Sequence, residues 1–182
     1  MPRPASRTAS IDPFYVMEIV KAARQLELAG RPVIHMSIGE PDFTAPGPVR
    51  EAARAAIAAG ATGYSAALGL AELRGRIAGH YLASYGIRID PGRIVVTAGA
   101  SAALLLSMAA LLEPGQEVLM PDPSYPCNRH FVSVFGGRAN LLPCGPGSRF
   151  QPTADDVRCN WGHSVAGLML AWPRSGSGWR RV

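Results

Sequence analysis

Apolar positions recur along the chain with two periods, and the change from one to the other separates its elements. Phe14, Met17, Val20, Ala23 and Leu26 follow a helical repeat, joined by Ile19. With Asp12-Pro13 as cap and first-turn proline, they predict a helix over about 12–29, stopped by Gly30. Val33-Ile34-His35-Met36 reads as a short strand running into a Gly- and Pro-bearing loop at 37–43. Pro46-Gly47-Pro48 opens an Ala-rich helix ending at Gly60, and a further helix is predicted over about 70–85. Gly75 and Gly79 lie inside that second helix, each costing about 1 kcal/mol relative to Ala.

From residue 94 onward short apolar runs alternate with helical stretches. Ile94-Val95-Val96-Thr97 predicts a buried strand, Ala98-Gly99-Ala100-Ser101 a turn of tiny side chains, and 102–112 an apolar helix. Strands follow at 117–120, 138–143 and 165–171, with helices at about 127–135 and 154–159 between them. Strands alternating with helices at this spacing predict an α/β fold, with a mostly parallel sheet covered by helices on both faces.

Composition narrows the function classes. The chain has 182 residues, 48% hydrophobic and 17% charged, which is globular rather than disordered. No apolar run reaches the length of a membrane span, and the first ten residues lack the apolar stretch of a secretory signal, so a cytoplasmic protein is expected. The net charge of +5 comes from scattered arginines and from Arg174, Arg180 and Arg181 at the end, without a stripe or interleaved aromatics. That distribution argues against nucleic-acid binding. Three widely spaced cysteines, Cys127, Cys144 and Cys159, fit reduced thiols. Cys127 and His130 have ligand-like spacing, but nothing near them completes a metal site, and none is expected.

The chemistry-bearing stretch is 94–112. A strand that passes through tiny residues into a helix start leaves backbone N–H groups bare, at the positive end of the helix dipole. Such a start suits a phosphate, and Ser101 adds a hydroxyl as cap or as ligand. Many such turns bind nothing, so this feature needs company. It has some: IGEPDF at 38–43, Gly-Tyr-Ser at 63–65 with LGLAELR at 68–74, VTAGAS at 96–101 and PDPSYP at 121–126 follow in order. In order and spacing this set resembles the class I/II aminotransferases of pyridoxal-phosphate fold type I, over about residues 12–171.

The resemblance implies an incomplete PLP-binding large domain at 45–171, a small-domain segment (arm, helix and strand) at 1–44, and a divergent basic tail at 172–182. It implies pyridoxal 5'-phosphate as cofactor, amino acid and 2-oxo acid substrates, and a homodimer. Gly99, Ala100 and Ser101 would hold the cofactor phosphate. Tyr125, fixed between prolines, would stack on the pyridine, or simply pack in its turn. Gly39 would admit the substrate carboxylate, or serve as a plain turn glycine. Tyr64 would reach the neighbouring subunit's phosphate, or be an ordinary core or surface tyrosine. The same motifs also serve PLP-dependent lyases and synthases.

The pattern breaks in two places. Transamination needs a Schiff-base lysine, and the only lysine is Lys21, on the first predicted helix, so no catalytic residue is assigned and a truncated, inactive chain is expected. After Leu168-Met169-Leu170-Ala171 the family continues into a segment resembling SPSNPTG, whereas here WPRSGSGWRRV follows, with Ser175 at the asparagine position. Such a change is what a reading-frame shift near 171–172 would produce. Lacking later strands, the sheet is expected to be weakly stable; a non-catalytic binding or dimer-forming remnant is the other reading.

Overall fold

The apolar run at 118–121 lies in the strand around which the carboxy-terminal part is built. In a computed structural model, which describes residues 3–171, β1 (Glu117–Asp122) lies between β2 (Arg138–Pro143) and β3 (Val165–Leu168). All pairings are parallel, in the order β2-β1-β3, with Glu117 opposite Arg138 and Asp122 opposite Pro143. The expected tail at 172–182, Ser175 included, lies outside the described residues.

Alternation along β1 divides its side chains between two cores. Val118 and Met120 pack with Leu112 and Val132, joined by Met108 and Phe135. Leu119 faces the other way, with Leu142, Cys144 and Val157. Helices α4 (Gly99–Leu111) and α5 (Cys127–Val134) therefore contribute to one face and α6 (Ala154–Asn160) to the other, the two-sided α/β arrangement expected from the sequence. Pro121 can sit in β1 because β3 pairs only as far as Leu119 on that side, where the missing N–H leaves no ladder bond unmade.

The described residues divide into two compact units, one comprising 3–14 with 104–171, the other 15–103. Among the described residues, the first holds all the buried hydrophobic side chains. The second carries α1 (Tyr15–Leu28), α2 (Gly47–Ala58) and α3 (Ala71–Tyr85), and Gly69 is its one buried residue. Ile34 and Met36 are 88% and 87% exposed.

Two expected strands do not form. Residues 33–36 and 94–97 are free of strand pairing, because a strand exists only beside another and neither has a partner ladder among the described residues. Val96 keeps a single bond, its N–H donating to the Leu68 carbonyl at 3.1 Å. Helix α4 starts at Gly99, before the predicted 102, since small residues suit a first turn as well as a loop. The last strand ends at Leu168, short of the predicted 171, and among the described residues only β1 pairs with it.

Candidate functional site

The turn at 97–101 is built by glycine. Gly99 has φ +84°, a left-handed conformation that a side chain would resist, and this bend admits the chain into α4. A Cβ at Gly99 would meet nothing within 4 Å, so the space in front of the helix start is open. The Gly99 N–H is already engaged, donating to the Thr97 carbonyl at 2.8 Å, while the Thr97 hydroxyl donates to the Gly99 carbonyl at 2.9 Å. The bare donors are those of Ala100 and Ser101, in the first turn of α4, where no intrahelical acceptor exists. Both residues are exposed. Two amides, the Ser101 hydroxyl and the helix dipole thus face open space, a donor set that fits a phosphate.

Tyr125 lies in the other unit, in the loop between β1 and α5, after a cis Asp122–Pro123 bond. Its ring is 48% exposed and meets the ring of Phe14 edge-on, with centroids 5.9 Å apart and planes at 72°. Cys127 stands beside its hydroxyl, and that contact, with some desolvation, raises the phenol's pKa above the ordinary tyrosine value, keeping it protonated. A half-exposed ring with one edge supported and its proton retained is suited to stacking on a flat heterocycle.

Gly39 and Tyr64 belong to residues 15–103 with the 97–101 turn. Gly39 is exposed, and a Cβ there would meet nothing within 4 Å. Tyr64 is fully exposed, which removes the core reading. No hydrogen bond or ring contact joins Gly39 or Tyr64 to the turn among the described residues. A cavity of about 560 Å³ lies beside the 37–43 loop, lined by Arg24, Glu27, His35 and Glu40 among others. His35 Nε2 and Glu27 Oε1 pair there at 2.7 Å.

Reading the sequence alone missed Phe14, Cys127 and Thr97. An aromatic directly after Asp12-Pro13 and a cysteine two residues beyond Tyr125 give no local sign of meeting that tyrosine. Thr97 is hidden by its β-branched neighbours. Among the described residues no group of three or more His, Cys, Asp or Glu could hold a metal ion, and no helix is long and apolar enough to cross a membrane.

Residues 31–178 match the family model described as aminotransferase class I and II. The chain belongs to that family. Its relatives include a valine–pyruvate aminotransferase of Mycobacterium tuberculosis, 39% identical over 170 residues, covering 93% of this chain and 44% of the relative. An aspartate aminotransferase of Rhizobium meliloti is 34% identical over 176 residues, covering 97% of this chain and 43% of its own length. Among solved structures, an aminotransferase from Mycobacterium tuberculosis matches with a TM-score of 0.85 and 39% identity, over 92% of this chain and 43% of that one. The chain thus spans less than half the length of the aminotransferases it matches.

Proposed function

We propose that these 182 residues supply the phosphate- and ring-binding part of a cytoplasmic, dimeric aminotransferase that moves an amino group from an amino acid to a 2-oxo acid through pyridoxal 5'-phosphate. The observation that carries this reading is the start of α4, with Gly99 at φ +84° and the first-turn amides of Ala100 and Ser101 exposed. Those amides and the Ser101 hydroxyl hold the phosphate. Tyr125 stacks on the pyridine and, with its phenol protonated, brings no negative charge to it. Bound pyridoxal phosphate supplies an electron sink for charge developing at the substrate α-carbon. Gly39 leaves room for the substrate carboxylate. Tyr64, without cover in its own chain, reaches the phosphate of a second subunit. In the assembled enzyme, residues 1–44 go with a small domain and 45–171 with the large one.

The lysine content favours a second reading for the isolated chain. Its one lysine, Lys21, is exposed on α1 and serves there as a solvated surface group, so this polypeptide alone binds without turning over. Pyridoxal 5'-phosphate has no circular dichroism when free. Added to the chain, it should acquire a visible band that weakens in Tyr125→Leu, with no amino-group transfer from a panel of amino acids. The absence of any induced band contradicts the binding reading. Turnover by the chain alone contradicts the inactive one.

A further inference from the structure

The amino-terminal arm reaches Tyr125, although no sequence motif assigns it to the site. Residues 3–14 group with the β-sheet unit rather than with the helix that follows them. Arg7 Nη1 donates to the Val134 carbonyl at 2.8 Å, at the last residue of α5. Seven residues later Phe14 meets Tyr125, just before α5 begins. The arm therefore runs antiparallel along α5, anchored at both ends. Phe14 is half-buried, and its contact with Tyr125 is the T-shaped geometry that aromatic quadrupoles favour.

A platform that stacks on a flat ligand has one face open, so it must be held from elsewhere. The flanking prolines fix the Tyr125 backbone, but they leave the side-chain torsions free to turn the ring. Among the described residues, ring-to-ring support for Tyr125 comes from Phe14. We propose that Phe14 is a positioning residue of the cofactor site: its ring, carried by the docked arm, sets the angle at which Tyr125 receives the pyridine. This inference rests on the stacking role proposed above for Tyr125. It extends the cofactor site to the arm at 3–14, and makes ring binding sensitive to whether that arm is docked.

The test uses the full chain and pyridoxamine 5'-phosphate, whose amine cannot join covalently to the protein. Phe14→Leu keeps apolar bulk and removes the ring; Phe14→Tyr keeps the ring. With 3-fluorotyrosine incorporated and the Tyr125 line assigned through Tyr125→Phe, the fluorine spectrum reads the platform before any ligand is added. Phe14→Leu should shift the Tyr125 line while Tyr64, Tyr81 and Tyr85 stay in place. It should also weaken pyridoxamine 5'-phosphate about 2- to 10-fold, the range of one aromatic pair, with Phe14→Tyr restoring affinity. An unmoved Tyr125 line, or unchanged affinity in Phe14→Leu against a wild type that binds, overturns the role of Phe14 alone. A wild-type chain that does not bind the probe overturns the cofactor reading and this inference with it.

Discussion

Gly69 lies against Val96 so closely that a Cβ on Gly69 would come within 2.7 Å of the Val96 Cβ. Gly69 also has φ +89°, and its neighbour Leu68 accepts the Val96 N–H. This contact ties residues 68–69 to the segment entering the 97–101 turn. Gly69→Ala brings both a clash with a stiff β-branched side chain and a left-handed residue, a combined cost of about 2–4 kcal/mol. Urea denaturation should show the loss, and adding Val96→Gly should return only the steric share.

A second close approach sits in the other unit. A Cβ on Gly137 would lie 2.5 Å from Leu112 Cδ2, 3.0 Å from Val132 Cγ1 and 3.2 Å from the Gln116 carbonyl oxygen. Leu112 and Val132 are buried, so neither side chain has room to retreat. Gly137→Ala should destabilise by about 1–3 kcal/mol. In a double-mutant cycle with Leu112→Ala, the pair should lose less than the sum of the single losses.

Helix α6 predicts an acid dependence. Thr153 and Asp156 cap it reciprocally: the Asp156 N–H donates to Thr153 Oγ1 at 3.1 Å, and Asp156 Oδ2 accepts from the Thr153 N–H at 2.8 Å and from its hydroxyl at 2.7 Å. The Thr153 side-chain and backbone bonds favour the carboxylate and lower its pKa below the usual aspartate value. Between the depressed and the ordinary value the unfolded chain binds more protons. The cap's contribution is thus complete above the ordinary value and is lost as pH falls through the depressed one. Carbon-detected titration of Asp156 should give the low midpoint, and Asp156→Asn should remove this part of the acid dependence.

Exposure predicts unequal stability. The buried hydrophobic side chains belong to 104–171, while α1, α2 and α3 contain no buried residue. Hydrogen exchange should therefore protect the amides of β1 well, and those of α1–α3 far less. Equal protection in both units would contradict this assignment of the core.

The parts of the fold that the sequence announced are those whose cause is local. The strands predicted at 117–120 and 138–143 and the helices predicted at about 127–135 and 154–159 all form close to their expected bounds. Strands at 33–36 and 94–97 carried the same local signal, but the signal describes a preference, and pairing depends on a second segment that residue pattern does not supply. The site divides in the same way. Gly99, Ala100 and Ser101 are readable because a helix start is a local object. The Gly99 amide, spent on Thr97, and the Phe14 edge against Tyr125 come from backbone geometry and from a contact 111 residues apart in sequence.

The central claim is that the amides of Ala100 and Ser101, with the Ser101 hydroxyl, bind a phosphate. Equilibrium dialysis of pyridoxamine 5'-phosphate against pyridoxamine, which lacks the phosphate, isolates that contribution. Ala100→Pro removes one donor at a first-turn position where proline is tolerated, and Ser101→Ala removes the hydroxyl. The phosphorylated form should bind at least about tenfold more tightly, and the combined variant should erase most of that difference. Equal affinity for the two compounds, or a preference that survives both substitutions, would contradict the account.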